Sequence, residues 1–429
     1  MADNPNSIKI DPIVCIHSMP DEILLRIMKF ACEAEEISNE QVQYPTGFWD
    51  RYTKVCHSMA LVDRRFHRIV TPLLYYYVCI DAPYNYINEY WPRVSNLYRT
   101  VKETPALRVH VRRLEIYFPG PAITENTSFL HELRFIALWL PNLAFLATLD
   151  GDADINGLDG DLDIGSIFTT LNGSCMIDKL AIDQKECLLD YSDTDHDIAP
   201  FTQLEFVCHY APGGLLSDLL KWPSTLHSVI LRESCDCIDM FGTDLSVVIR
   251  ALSTHKNTLK KLDVGSVCTI LNPDRHSIGI SSLPALEEFT ISRWCFSADL
   301  KFSRKLVERL LGPSLCNFTW SIEPALGAEP DDAGIALSDM GPDEEEWLVA
   351  FGTFAAQQKG LSKLQRIHVR FTPRRFFRPE HSLGRIAVWP WDRLRNVKKR
   401  LAPQGIEVTY SKPTYTKKEW QRSLDFEMK

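Results

Sequence analysis

The chain has 429 residues, of which 45% are hydrophobic, and a formal net charge of −9 at pH 7. This composition excludes a wholly disordered chain and can supply the core of one large domain with a smaller module beside it. The charge is uneven, because residues 359–429 carry 18 basic and 6 acidic side chains, a net +12, and residues 1–358 carry 29 and 50, a net −21. An acidic body therefore carries a basic C-terminal segment.

The twelve cysteines are scattered over the chain without a C-x-x-C pair, which indicates reduced core residues rather than a disulfide framework. The N-terminal residues show no signal-peptide pattern, and no run reaches about 18 apolar residues. We therefore expect a cytoplasmic or nuclear protein with no membrane contact.

Two apolar segments between Ile16 and Tyr77 predict short helices. The first, IHSMPDEILLRIMKFA, has Pro20, Asp21 and Glu22 in positions that favour the first turn of a helix. In the second, SMALVDRRFHRIVTPLLYYYV, we expect the helix to end at Thr71–Pro72, because the residue before a proline disfavours helical geometry. Two short amphipathic helices cannot bury both apolar faces against each other, so a further partner is expected.

The proline–acidic–acidic–aliphatic–leucine start, with the later L-V-x-R-R-F and T-P-L-L-Y, resembles an F-box of the fungal type. The resemblance implies a substrate receptor that docks on the Skp-type adaptor of a cullin-RING (SCF) ubiquitin ligase. It places the adaptor contacts at Pro20, Ile23, Leu24, Ile27, Leu61, Val62 and Phe66. An acidic, aromatic insert at 32–52 lengthens the family spacing by roughly fifteen to twenty residues, so docking requires that it leave this face open. The alternative is an N-terminal helical cap on a larger domain.

From Val111 onward a quasi-repeat of the form apolar-x-x-apolar-x-apolar predicts a series of strands. The intervals between successive strand anchors run from 24 to 34 residues, except the last, which is 49. The anchors are Leu114, Leu146, Leu180, Leu204, Val229, Leu262, Phe289, Phe318 and Ile367. Amphipathic helical stretches lie between several of these strands, as in LSVVIRALSTH and EEEWLVAFGTFAAQQ.

This alternation predicts a curved α/β solenoid that resembles irregular leucine-rich repeats, most closely in LPALEEFTIS and LSKLQRIHV. The alternative is a doubly wound α/β domain, although no phosphate-binding glycine motif follows any of the strands. The predicted fold class is thus α/β, with a small all-α F-box-like module before the solenoid. The predicted domains are 12–80 for the module, 81–108 for a helical bridge, 109–411 for the solenoid with a mobile acidic insert at 323–343, and 412–429 for a polar end.

The sequence contains motifs that partly resemble metal-binding sites, but none that predicts a catalytic site. Asp152, Asp154, Asn156, Gly157 and Asp163 match a calcium loop in part, but position 12 is Asp instead of Glu, and a solvated acidic turn is favoured. The Asp-rich sequence around His196 and the pair Cys235 and Cys237 are too compact for an ordinary zinc site. No nucleophile elbow or cysteine-protease signature is present in the sequence. We expect no cofactor, no metal and no enzymatic activity.

The basic segment after Arg366 interleaves arginines with aromatic residues. It could cap the solenoid, recognise an acidic or phosphorylated peptide, or contact nucleic acid, in decreasing order of preference. Because side chains alternate along a strand, residues flanking the anchors share one face, which becomes basic at its last strand. We predict client contacts there, at Arg366, His368, Arg370, Arg374 and Arg375.

The leading hypothesis is a non-catalytic SCF substrate receptor that holds an unknown client protein near the ligase for ubiquitin-dependent degradation. The alternatives are an F-box-bearing scaffold with no ligase role, and a nucleic-acid-associated repeat protein that uses the basic segment.

Overall fold

The computed structural model describes residues 16–33, 46–80, 87–118, 139–150, 178–184, 201–208, 219–233, 245–265, 279–296, 300–322, 340–358, 360–371, 388–413 and 416–419, with single positions between 132 and 136 and at 422. Eight α-helices are bounded within these residues: α1 Asp21–Glu33, α2 Thr46–Ala60, α3 Arg64–Leu74, α4 Ile87–Glu103, α5 Leu245–Ala251, α6 Arg304–Arg309, α7 Pro342–Gln357 and α8 Pro390–Leu401. No helix in these ranges is long and apolar enough to cross a membrane.

Eleven parallel strands form one sheet in which strand order follows chain order from β1 to β11. The strands are β1 Tyr77–Ile80, β2 Arg113–Phe118, β3 Phe145–Asp150, β4 Lys179–Gln184, β5 Gln203–Cys208, β6 Ser228–Glu233, β7 Lys261–Val264, β8 Glu288–Ser292, β9 Asn317–Ser321, β10 Arg366–Arg370 and β11 Glu407–Tyr410. A doubly wound sheet reverses its strand order at a switch point, and this sheet does not.

The nine predicted anchors form one continuous row across the sheet. Leu114 pairs in register with Leu146, and the same row continues through each following strand to Ile367 and then Val408. Every anchor is buried. The strand prediction is therefore confirmed at all nine positions, because burial of one residue in the same place of each unit sets the register.

A repeated backbone hydrogen bond accompanies this register. The carbonyl of Arg112 accepts from the amides of both Ala144 and Phe145, at 2.9 and 3.1 Å, and the carbonyl of Ala144 accepts from Asp178 and Lys179 in the same way. Equivalent pairs recur at the following strands as far as β10. Each unit is thus tied to its neighbour by the same local contact, although the intervening segments differ in length.

The helices pack on the face of the sheet that carries the anchors. On α7, Phe351 lies 4.4 Å between ring centroids from the anchor Phe318, and Trp347 lies 4.8 Å from Trp320. The two predicted helical stretches, LSVVIRALSTH and EEEWLVAFGTFAAQQ, are confirmed as α5 and α7. The opposite face of the sheet is therefore the one that carries most of the strand-borne charges.

The N-terminal helices differ from expectation in three respects. Leu61 and Val62 form a turn and not part of a helix, because Asp63 caps α3 by accepting the amide of Phe66 at 2.8 Å. The helix does not end at Pro72 but continues to Leu74, since buried Leu73 extends the apolar face and proline costs only one hydrogen bond so near the end. Residues 46–52, assigned to an insert, begin α2.

Two predicted boundaries also change. Tyr77–Ile80, placed in the helical module, is strand β1 and pairs with β2, so only two residues separate α3 from the sheet. Of the predicted mobile insert at 323–343, residues 323–339 lie outside the described residues, whereas Met340 is buried and α7 starts at Pro342. The last strand, β11, pairs with β10 and lies beyond the last predicted anchor.

Candidate functional sites

The helices α1, α2 and α3 share a small core of their own. It contains Leu24 and Met28 from α1, Cys56 and Ala60 from α2, and Phe66, Ile69, Val70 and Leu73 from α3. Because Leu24 and Met28 are four residues apart, they use one narrow stripe of α1. The rest of the α1 surface is not needed for this packing.

An ion-pair clamp fixes the start of α1 against the start of α3. The carboxylate of Asp21 lies 2.7 Å from the Arg65 guanidinium and 2.5 Å from that of Arg68. Arg65 also donates to the backbone carbonyl of Met19. The side-chain hydrogen bond from Arg65 is the main reason that the pKa of Asp21 lies below its ordinary value. The first turn of α1 is therefore joined to the first turns of α3, and the turn Leu61–Val62 directly precedes α3.

The outward side of these helices exposes large apolar side chains. Ile23 is 42% exposed, Ile27 44% and Phe30 69%, and their spacing of four and three residues puts them on one face of α1. In the adjacent turn Leu61 is 72% exposed and Val62 58%. We call these five residues the N-terminal apolar face. Of the twelve exposed large apolar residues in the described parts of the chain, seven lie between Ile16 and Val62.

The structure divides the predicted adaptor contacts into two groups. Pro20, Ile23, Ile27, Leu61 and Val62 are exposed. Leu24 and Phe66 instead lie in the helical core, with 1% and 6% exposure, so their assignment to the outer face was wrong. The helical spacing could not separate Ile23 from Leu24, because adjacent positions both border an apolar stripe. Phe30 was missed, although it follows Ile23 and Ile27 at helical spacing.

The face of the sheet opposite the anchors is covered by ion pairs. Glu205 on β5 contacts Lys179 Nζ at 2.7 Å and Arg232 Nε at 3.0 Å, across two neighbouring strands. Burial raises the pKa of Glu205, but the two cations lower it by more, so the pKa lies below its ordinary value. Glu115 accepts from the Tyr77 hydroxyl at 2.5 Å, which joins β1 to β2. Burial raises the pKa of Glu115.

The three client-contact candidates on β10 lie on this same face. Arg366 pairs with Glu407 at 3.0 Å, and Arg370 lies 3.3 Å from Asp263. His368 Nδ1 lies 2.9 Å from the Thr409 hydroxyl. Burial, followed by the charges of Arg370 and Arg366, lowers the pKa of His368. Arg374 and Arg375 lie outside the described residues. Three of the five predicted client contacts therefore lie on one face of the sheet.

The described part of the basic segment is largely engaged with α7. Arg393 contacts Glu345 at 3.0 Å, and Arg400 contacts both oxygens of Glu346 at 2.5 and 3.0 Å. Trp389 and Trp391 are buried, with ring centroids 4.5 Å apart. These contacts agree with a cap on the sheet, because the aromatics close the core and the arginines join two helices.

The remaining sequence candidates fall outside the described residues. They are the acidic loop 152–163, His196 with its neighbouring aspartates, and Cys235 and Cys237. Within the ranges that the structure describes, no group of three or more His, Cys, Asp or Glu side chains could hold a metal ion.

Comparison of the sequence with models of known protein families and with curated proteins finds no match. The α/β fold and the two surfaces above are therefore the basis for a functional assignment.

Proposed function

We propose that the chain is a non-catalytic substrate receptor of an SCF-type ubiquitin ligase. Its N-terminal apolar face docks on a Skp-type adaptor, and the sheet is the inner wall of an irregular leucine-rich-repeat-like solenoid that binds a client protein. The exposed apolar face carries the proposal, because five large apolar side chains on two adjoining elements cost free energy in water unless a partner covers them.

The construction of the helices supports docking through this face. The small core is filled without Ile23, Ile27, Phe30, Leu61 or Val62, so their exposure is compatible with a folded module. The Asp21–Arg65 clamp joins the start of α1 to the start of α3, and the turn with Leu61 and Val62 directly precedes α3. The F-box-like motifs lie on these same elements, which joins the resemblance to the exposed surface.

The sequential sheet supports the second half of the proposal. Strands in chain order, one buried anchor per unit and a recurring backbone contact are properties of stacked repeats. An extended face with balanced charges suits a protein client better than a small substrate. The client contacts proposed are Arg366, His368 and Arg370, with Arg374 and Arg375 following in the sequence.

Co-purification with a Skp-type adaptor tests the docking. An Ile27→Asp, Leu61→Asp variant should lose the adaptor while retaining its fold, because both side chains are exposed. Leu25→Asp is the matched control, since Leu25 is 37% exposed but lies on a different side of α1 from Ile23 and Ile27. Equal adaptor binding by the double variant and the wild type would refute the proposal.

A scaffold role without ubiquitylation would share this docking face, and client turnover after depletion of the protein distinguishes the two. A nucleic-acid role is not favoured, because Arg393 and Arg400 are paired with glutamates of α7. A steep salt dependence of oligonucleotide binding would be its signature.

A further inference from the structure

A group of hydroxyl-bearing and basic side chains lies on the charged face of the sheet between β8 and β10. Arg370 pairs in register with Ser321, and Ser321 pairs with Ser292. In the parallel row two residues earlier, His368 pairs with Thr319. Side chains of in-register residues on neighbouring strands lie about 5 Å apart on one face. Arg370, Ser321, His368 and Thr319 are therefore neighbours.

Arg370 has donor capacity beyond its present contact. Its side chain is 30% exposed, and one terminal nitrogen lies 3.3 Å from Asp263. A guanidinium carries five N–H donors, and no other bond from Arg370 is found among the described residues. The fork is thus available for an acceptor with several oxygens.

Ser321 supplies an independent indication of a ligand. Its hydroxyl is buried and makes no hydrogen bond within the described structure. Buried polar groups are normally satisfied, so an unpartnered hydroxyl beside a guanidinium points to a missing acceptor.

Asp263 would compete with a ligand for the Arg370 guanidinium, because its carboxylate already contacts that group. One of its carboxylate oxygens accepts from the Gly265 amide at 2.9 Å, and the other faces Arg370. If Arg370 turned to a ligand, Asp263 would keep the Gly265 bond. The exchange would therefore leave this buried carboxylate with one hydrogen bond.

We propose that Arg370, Ser321 and His368 form a binding site for a phosphate monoester, which replaces the Asp263 carboxylate on Arg370. A phosphate presents three strong acceptor oxygens and about two negative charges, whereas a carboxylate presents two oxygens and one charge. Arg370 and His368 are partly exposed on this face, and the buried Ser321 hydroxyl belongs to the in-register neighbour of Arg370, so the three donors together match the phosphate. If the phosphate belongs to a phosphorylated client segment, this proposal rests on the proposed function. If it belongs to a free phosphate ester, the proposal stands independently.

His368 makes the site dependent on pH. The charged groups around it are Arg366 and Arg370 on β10, Glu407 on β11 and Asp263 on β7, whereas β9 contributes the hydroxyls of Thr319 and Ser321. A bound dianion would favour the protonated imidazole, so binding should weaken as the pH rises through the pKa that His368 has in the complex.

Titration of the full-length chain with inorganic phosphate and with O-phosphoserine tests the site. Asp263→Asn should bind both anions more tightly than the wild type, because the competitor loses its charge and keeps an oxygen for Gly265. Arg370→Gln should weaken binding by at least about tenfold, the usual loss for a charge-assisted hydrogen-bonding group. Arg304→Gln is the control, since Arg304 is exposed on α6 and should leave binding unchanged.

Two further readouts separate binding from folding. The imidazole pKa of His368, followed by NMR, should rise on addition of phosphate, and thermal melting should show that Arg370→Gln is folded. Wild-type binding by Arg370→Gln, or no gain with Asp263→Asn, would overturn the proposal.

The source of the phosphate is decided with a degenerate phosphoserine peptide library and its unphosphorylated counterpart. Preference for the phosphorylated library over inorganic phosphate supports the site and assigns it to a protein client, whereas equal affinity supports the site and assigns it to a small ester. Adaptor co-purification with Arg370→Gln is measured in parallel. Loss of phosphate binding with adaptor binding retained separates this site from the docking proposal.

Discussion

Arg293 and Glu344 form an ion pair in which the two side chains are 0% and 1% exposed and Nε lies 3.1 Å from Oε1. The pair joins the end of β8 to the first turn of α7. Glu344 also accepts the Gly341 amide at 2.9 Å, which caps α7. The pair therefore fixes the start of α7 on the sheet.

Removal of one partner of the Arg293–Glu344 pair should strongly destabilise the protein. We expect Glu344→Ala to lower the free energy of unfolding by about 3–5 kcal/mol, because Arg293 would remain charged in the core. Chemical denaturation measures this difference. The double variant Arg293→Met, Glu344→Leu should lose less free energy of unfolding than Glu344→Ala alone, because it leaves no buried charge. An equal or larger loss would show that the unpaired charge of Arg293 is not the cause.

The α7–α8 contact should be sensitive to one methyl group at Gly352. A Cβ there would lie 2.7 Å from Leu401 Cδ1 and 3.3 Å from Ile367 Cδ1. We expect Gly352→Ala to destabilise the protein by about 1–3 kcal/mol, since overpacking outweighs the gain in helix propensity. Gly360→Ala is the control, because nothing lies within 4 Å of its added Cβ. Similar melting temperatures for both variants would disprove the prediction.

The N-terminal core should distinguish two adjacent residues of α1. We expect Leu24→Asp to unfold the helical cluster, because its side chain lies in the core and cannot be hydrated there. The free energy of unfolding of Ile23→Asp should lie within about 0.5 kcal/mol of the wild-type value, as is usual for surface substitutions. Circular dichroism of both variants makes the comparison, and unfolding of Ile23→Asp would show that Ile23 supports the core.

Glu205 should contribute to stability at neutral pH and lose this contribution in acid. A carboxylate with a lowered folded pKa stabilises the fold above its unfolded pKa, and the effect disappears as the pH falls through the folded pKa. We expect Glu205→Gln to cost about 1–3 kcal/mol at pH 7 and to flatten the acid limb of the stability curve. Glu288→Gln, whose partner Lys261 is exposed and 3.9 Å away, should cost less than about 0.5 kcal/mol. Equal costs for the two variants would contradict this account.

Glu115 should show the opposite pH dependence. Its raised folded pKa means that it stabilises the fold in acid, and that this contribution is lost as the pH rises through the folded pKa. Glu115→Gln should therefore be more stable than the wild type at pH 7, because the amide can keep the Tyr77 bond without a buried charge. Denaturation across pH 4 to 8 tests the sign. A less stable variant at pH 7 would show that the charged form is the favoured one.

Several parts of the fold could be predicted from sequence because they depend on local patterns. The anchor residues recur at the same place in each strand, so burial of one row defines the register from Leu114 to Ile367. Strand β1 could not be predicted in this way. It has four residues and starts after a two-residue connection to α3, and its place in the sheet depends on pairing with β2, which is distant in the sequence.

The candidate docking site was predicted in part for the same reason. Helical spacing identifies the apolar positions of α1, but the neighbouring helices decide that Leu24 is inside and Ile23 outside. The ion pairs of β10 were also not visible in the sequence, because Asp263 lies 107 residues before Arg370. Apparent positive charge in a segment says little until its acidic partners are placed.

The sequence by itself determined the α/β class, the anchor row and the apolar helices, since each arises from the periodicity of neighbouring residues. Only the tertiary structure decided which apolar residues remain exposed and which arginines are neutralised. Exposure and charge pairing depend on contacts between residues far apart in the chain, and these contacts define both the N-terminal apolar face and the Arg370 site.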